Sequence, residues 1–195
     1  MTYNLLTVEP LSKEDIAEAL AHCLGLRVHD IDVADERTDQ DLRNWDALVL
    51  CEKTTVKGDL TVSLDIYVQD SVHRQPDEAD LAAAFARAAK VVVLYPAEEV
   101  LPSAYWLAAD DGTVTRARLL ASDDADGSDG SDGSDGSDGS DGSDDESPAY
   151  MIDAVEAPVA RLPHTQVARL PEIAREQRTA TPVGRPRADE PDTAH

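Results

Sequence analysis

The sequence predicts an α+β domain in which two helices pack on one face of a mainly antiparallel sheet of about six or seven strands. Three observations lead to this prediction. Two segments combine helix-capping residues with apolar residues at helical spacing, two pairs of β-branched runs flank turn residues, and a long acidic tract separates the last two strand-like runs.

The first helix is predicted from Leu11 to Gly25. Ser12 and Asp15 have the spacing of a capping box, and Gly25 stands where a helix commonly ends in a left-handed residue. A second helix is expected to open at Asp77 and Asp80 and to run to about residue 90. Their apolar stripes are predicted to comprise Ile16, Ala19, Leu20, Cys23 and Leu24, and Leu81, Ala84, Phe85, Ala88 and Ala89.

The strands are predicted from alternating or β-branched runs bounded by turn residues. Two hairpins are expected, around Lys57-Gly58 and around the turn at 110–112. In the run 59–69 alternate residues from Leu60 to Val68 should be buried, which leaves Asp65 and Tyr67 on the opposite face. The predicted runs are 26–34, 47–53, 59–69, 91–95, 103–109, 113–121 and 149–157, with a helical turn within 35–46.

We expect one domain with an acidic insertion. Residues 1–121 form its main part, 122–147 a disordered loop of Asp, Gly and Ser, and 148–158 its final strand, followed by an extended Pro- and Arg-rich arm at 159–195 that becomes disordered towards its end. The loop has 11 acidic residues and too little apolar surface to offset the entropy of ordering it. Because loop-closure cost grows only logarithmically, its two flanking runs can pair as antiparallel neighbours. The alternative is a linker between independent regions.

The charge of the chain limits its partners. The net charge is −23, and nearly half of it belongs to the acidic loop. Such a chain is repelled by nucleic acid and by anionic lipid, so we expect neither as a partner. Two cysteines, no basic leader and no long apolar run favour a cytoplasmic protein without a disulfide framework. The oligomeric state is left open.

Sequence motifs for catalysis or cofactor binding are absent from the chain. It contains no phosphate-binding glycine loop, dinucleotide fingerprint, HExxH, paired CxxC or GxSxG, which argues against the large nucleotide, zinc and serine-hydrolase classes. The DGS repeat lacks the ligand spacing of a calcium loop. We therefore predict no catalytic residue, cofactor or metal. A carboxylate cleft of Asp30, Asp32 and Asp65 is an alternative that requires their strands to pair.

The candidate partner-binding residues are aromatic side chains in acidic surroundings and apolar residues of the arm. Aromatic residues commonly anchor interfaces, and nearby acids attract basic partners. The arm contains VARLP twice, at 159–163 and 167–171, and these apolar residues could pack on its own domain or dock on another chain. The candidates are Trp45, Asp46, Asp65, Tyr67, Tyr105, Trp106, Leu162 and Leu170.

Three functions are compatible with these features. The first is a non-catalytic protein-binding module, an inhibitor, immunity-type or chaperone-like partner of a basic protein. The second is a subunit that docks on a larger assembly through its VARLP arm. The third is an enzyme with the carboxylate cleft. The acidic charge and the absence of catalytic motifs favour the first.

Overall fold

The computed structural model describes residues 1–36, 38–97, 101–122 and 148–171. In these residues it contains helices α1 (Lys13–Leu24) and α2 (Glu78–Ala89), and 3₁₀ turns at Val28–Asp30 and Gln40–Leu42. The strands are β1 (Thr2–Thr7), β2 (Ile31–Asp35), β3 (Val49–Thr55), β4 (Lys57–Gly58), β5 (Val62–Val68), β6 (Val93–Pro96), β7 (Ala104–Ala108), β8 (Val114–Ser122), β9 (Ala149–Val155) and β10 (Gln166–Val167). The disorder predicted for the acidic loop and for the end of the arm concerns residues outside the described ranges.

One mixed sheet contains these strands, in the order β10-β9-β8-β7-β6-β1-β5-β3-β2, with β4 paired to β9. The α+β class and the two helices agree with the prediction. The sheet is larger than the six or seven strands expected, and it includes the parallel pairs β2–β3, β4–β9 and β9–β10. Both β4 and β10 are two residues long, so they have no alternating pattern that a sequence could reveal.

Both helices have the caps that the sequence predicts. Ser12 and Asp15 form the capping box of α1, and Gly25 ends it in a left-handed conformation with φ 68°. Asp77 caps the amino end of α2. At its carboxyl end Lys90, and not a glycine, adopts the left-handed conformation. In α2 the buried alanines are Ala82 and Ala86, while the predicted Ala84, Ala88 and Ala89 are only half-buried, so the buried stripe is rotated from the expected one.

The first core lies between these helices and one face of the sheet. It contains Ile16, Leu20, Leu24, Leu81 and Phe85 from the helices, and Tyr3, Leu5, Val49, Cys51, Leu64, Ile66 and Val68 from β1, β3 and β5. The predicted inward residues of β5 are all buried. Cys23 and Cys51 belong to this core as free thiols, consistent with the absence of a disulfide framework.

The predicted strand over residues 26–34 is wrong in its first half. Val28–Asp30 forms a 3₁₀ turn, and β2 begins only at Ile31. The Asp30 carboxylate accepts a hydrogen bond from the Arg27 backbone N–H (3.1 Å) and another from the Arg27 side chain (Nε, 3.2 Å). This local side-chain bonding competes with strand pairing and closes the turn.

A second core occupies the other face of the sheet at its β6–β9 end, where the sheet folds back on itself. Leu6, Leu60, Leu94, Leu107, Leu119 and Ile152 are among its buried residues. The fold is closed by β4, whose Lys57 and Gly58 pair with Ala149 and Tyr150 of β9. The predicted hairpin of β3 and β5 is confirmed, but residues 56–61 connect its strands, and Lys57-Gly58 form β4 instead of a tight turn.

The runs on either side of the acidic loop pair as predicted. β8 and β9 are antiparallel neighbours, with Ser122 opposite Ala149, so both ends of the loop leave the sheet at one place. An insertion between hairpin strands whose ends lie this close does not require the sheet to rearrange.

Candidate partner-binding face

The face of β1, β2, β3 and β5 that lies opposite the helices is mainly polar, and five of the eight residues named below are exposed. We call it the open face, and its residues are Thr2 and Asn4 of β1, Asp32 of β2, Leu50 and Glu52 of β3, and Ser63, Asp65 and Tyr67 of β5. Alternation along each strand puts these side chains on one side and the residues of the first core on the other. The four strands thus form a flat surface on a packed core.

Carboxylates dominate the centre of the open face. Glu52 and Asp65 stand directly opposite each other in the β3–β5 pair, and both are exposed. Like charges at such cross-strand positions are destabilising. The next pair along the strands is Leu50 and Tyr67, and the Tyr67 side chain is 45% exposed. An aromatic ring therefore stands beside two carboxylates, of which Asp65 has no ion pair among the described residues.

The loop after β2 brings a cation and a second aromatic ring to the edge of this face. Arg43 Nε donates to the Asp32 carboxylate (3.0 Å), its Nη2 donates to the Cys51 carbonyl (3.4 Å), and its Nη1 lies 3.8 Å from Glu52. The guanidinium carbon is 5.2 Å from the centre of the Trp45 ring, within the range of a cation–π contact.

Trp45 is held in an exposed position. Its Nε1 donates to the Gln40 carbonyl (3.0 Å), and Arg43 lies over its ring, yet the side chain is 54% exposed. Asp46 beside it is exposed as well. A tryptophan fixed from one side and open on the other loses little side-chain entropy when a partner covers it.

The structure divides the candidate residues into two groups. Trp45, Asp46, Asp65 and Tyr67 lie on or beside the open face, whereas Tyr105, Trp106, Leu162 and Leu170 do not. Tyr105 is half-buried against the second core, where burial raises the pKa of its hydroxyl. Trp106 is half-buried between the first core and a small cluster around Ala97, Ala104 and Ala154.

The described part of the arm packs on its own domain. Leu170 is 0% exposed within the small cluster that includes Ala104 and Ala154, and its carbonyl accepts a hydrogen bond from Arg116 Nη1 (2.7 Å). Leu162 is half-buried against the second core. Both leucines that we considered for docking on another chain therefore make contacts within this chain.

The three carboxylates of the alternative cleft do not converge. Asp30 belongs to the 3₁₀ turn, where the hydrogen bonds from Arg27 lower the pKa of its carboxyl. Asp32 is engaged by Arg43 and by the backbone N–H of residue 44 (3.2 Å). Asp65 stands two strands away from β2 and is exposed. Asp32 and Asp65 thus share the open face, whereas Asp30 lies in the turn before it.

Sequence reasoning missed Glu52 and Arg43. Glu52 contributes because the hairpin register places it against Asp65, and that register cannot be read before the turn is known. Arg43 reaches the edge of the open face only because of the path of the irregular loop after β2. The alternation of β5 did identify Asp65 and Tyr67 correctly as outward-facing.

No protein family, curated protein or solved structure matches this chain. Within residues 1–36, 38–97, 101–122 and 148–171, no helix is both long and apolar enough to span a membrane. The same ranges contain no group of three or more His, Cys, Asp or Glu residues arranged to hold a metal ion.

Proposed function

We propose that this protein is a non-catalytic binding module that holds a basic protein against its open face, as an inhibitor, immunity-type protein or chaperone does. The observation that carries the proposal is the exposure of Trp45 and Tyr67 next to Asp65, which has no ion pair among the described residues, and Glu52, whose ion pair there is the 3.8 Å contact with Arg43. Exposed aromatic rings supply contact area, and the carboxylates supply charge complementarity for lysine or arginine side chains.

A cationic partner would weaken the electrostatic repulsion between two carboxylates of the open face. Glu52 and Asp65 face each other across two strands, and the nearest described cation is the Arg43 Nη1 atom, 3.8 Å from Glu52. An arginine of the partner can bind such carboxylates with two parallel hydrogen bonds. The gain in binding free energy from this contact would be largest where the rings of Tyr67 and Trp45 exclude water from it.

The size of the face suggests that the loop takes part in binding. Four strands about 4.8 Å apart and about six residues long cover roughly 15 by 20 Å. A stable interface needs about 800 Å² on each partner. The sheet surface alone falls short of this area, so the partner should also cover the loop that carries Trp45 and Asp46.

The two other functions have less support. Docking on an assembly through the arm would require free apolar residues in the VARLP units, and of these Leu170 and Val159 are buried in this domain while Val167 is exposed. The carboxylate cleft of the third hypothesis would bring together Asp30, Asp32 and Asp65, whereas Asp30 lies in the 3₁₀ turn and β3 lies between the strands of the other two.

The proposal is tested by affinity capture from the lysate of the host cell, followed by quantitative mass spectrometry. We expect the wild-type protein to retain a basic protein, and the double variant E52K/D65K to retain at least about tenfold less of it, because attraction becomes repulsion. Y67A and W45A should weaken capture by the loss of the anchors.

The matched control is E14K/E18K, which makes the same change of charge on the exposed side of α1. It should retain the partner like the wild type. Equal capture by E52K/D65K and E14K/E18K would refute the open face as the binding surface.

A further inference from the structure

A cationic cleft lies on the helix side of the molecule, between the carboxyl end of α1, the loop at 70–76 and α2. Its volume is about 540 Å³, and its walls include His73, Arg74 and Arg87 together with Asp80. An adjoining cavity of about 370 Å³ shares both arginines and adds His22. Alanine side chains of α2 and the Cys23 side chain of α1 provide an apolar floor.

Among the described residues, the two arginines form no ion pair, whereas five of the other six described arginines do; the sixth is Arg169 of the arm. Arg27, Arg43, Arg116, Arg118 and Arg161 each pair with an aspartate or glutamate. Among the described residues, neither Arg74 nor Arg87 has an ion pair or hydrogen bond. Acidic residues outnumber basic ones 40 to 17, yet these two guanidinium groups line one cleft without an ion pair among the described residues.

The cleft is held in shape from both sides. On α2, Asp80, Ala83, Ala84 and Arg87 follow at helical spacing and share one face of the helix. The opposite loop is fixed by Gln75, whose Nε2 donates to the carbonyls of residues 69 (2.9 Å) and 72 (3.0 Å). The Tyr3 hydroxyl donates to the carbonyl of residue 76 (2.8 Å). Binding therefore does not require the loop to be ordered first.

We propose that this cleft binds a small phosphate monoester. Guanidinium groups match the oxygens of phosphate with paired hydrogen bonds, and the two arginines outnumber the one carboxylate, Asp80, that lines the cleft. The volume lies in the range of small-molecule sites, and the alanine floor offers an apolar surface to the organic part of the ligand. The site is separate from the open face and does not depend on its proposed role.

The test is a titration of the ¹⁵N-labelled full chain with phenyl phosphate and with inorganic phosphate, followed by NMR. We expect saturable shifts at the amides of residues 22–23, 73–74 and 84–88, with a phenyl phosphate dissociation constant on the order of 1 mM or below. The phenyl ester should bind more tightly than inorganic phosphate because its ring contacts the apolar floor.

Two variants and one control decide the result. R74Q and R87Q should each weaken binding at least about tenfold, since each removes a charge-assisted contact. R169Q removes an exposed arginine from the arm, outside the cleft, and should bind like the wild type. Both cleft arginines are exposed, so these variants should keep the thermal unfolding transition of the wild type.

Three outcomes would overturn the proposal. One is the absence of saturable shifts up to about 10 mM phenyl phosphate, ten times the expected dissociation constant. Another is equal binding by R74Q, R87Q and R169Q. The third is binding of the acidic peptide DGSDGSDGS at these amides without binding of phenyl phosphate, which would assign the cleft to peptide carboxylates.

Discussion

Alanine substitutions in the two VARLP units should have unequal effects on stability, although the units are identical in sequence. Leu170 is fully buried, whereas Leu162 at the equivalent position is half-buried. Val159 is 3% exposed, whereas its equivalent Val167 is 54% exposed. The repeat thus provides the same substitution in the same local sequence at two levels of burial.

The size of each effect follows from burial. Leu170→Ala should cost about 2–4 kcal/mol, because it removes a buried side chain and leaves a cavity. Leu162→Ala should cost about half as much, since part of the side chain already contacts water. Val159→Ala should cost about 1–2 kcal/mol, and Val167→Ala less than about 0.5 kcal/mol.

Urea denaturation and thermal unfolding measure these differences directly. For a domain of this size, about 1 kcal/mol shifts the melting temperature by roughly 2–4 °C, so Leu170→Ala should lower it by about 5–15 °C. If Leu170→Ala were as stable as Val167→Ala, the arm would not belong to the folded domain. Such a result would reopen docking on another chain as its role.

Three further predictions concern local geometry and ionisation. Gly58→Ala should destabilise the fold by at least about 2 kcal/mol, because the new Cβ would lie 2.1 Å from a carbonyl oxygen of β9. Gly112 has a similar φ of 91° but open space around it. Urea denaturation should therefore show that Gly112→Ala lowers the free energy of unfolding by only about 1 kcal/mol. Hydrogen bonding to Arg161 lowers the pKa of the Asp110 carboxyl below its ordinary value of 3.8. This contact therefore stabilises the fold above about pH 4, and its contribution is lost as the pH falls through the lowered pKa. In an NMR titration, Arg161→Gln should return the pKa of Asp110 towards its ordinary value. Burial raises the pKa of the Cys51 thiol to about 12, so it should react with a thiol reagent at pH 8 only after unfolding, as absorbance would show.

The most consequential element missed by sequence reasoning is β1, which lies between β5 and β6 in the sheet. Tyr3 and Leu5 face the first core with Thr2 and Asn4 opposite, as in an ordinary half-exposed strand. The alternation ends at Leu6, which is buried in the second core. A strand that is buried on one face at its start and on both faces further along loses the alternation of apolar and polar residues. Its sequence then resembles a short apolar run.

Local signals were sufficient for the helix caps and one hairpin, but not for the 3₁₀ turn that Arg27 and Asp30 close. The capping box of α1 and the hairpin at 110–112 involve partners a few residues apart, and both were predicted correctly. Contacts such as Gly58 with Tyr150 join residues that are far apart in sequence, and only the closed sheet creates them. The same distinction applies to the open face, where Asp65 was predicted from alternation but Arg43 was not.

The two proposed sites should bind their ligands independently. The helices cover one side of the sheet, so the cationic cleft and the open face lie on opposite sides of the molecule. The first core lies between the helices and the sheet, and a Debye length of about 8 Å at physiological salt weakens the interaction between charges on its two sides. E52K/D65K should therefore leave phenyl phosphate binding unchanged, and R74Q should leave partner capture unchanged. Coupling between them would require a movement of the helices against the sheet, which hydrogen exchange at the first core would detect as lost protection.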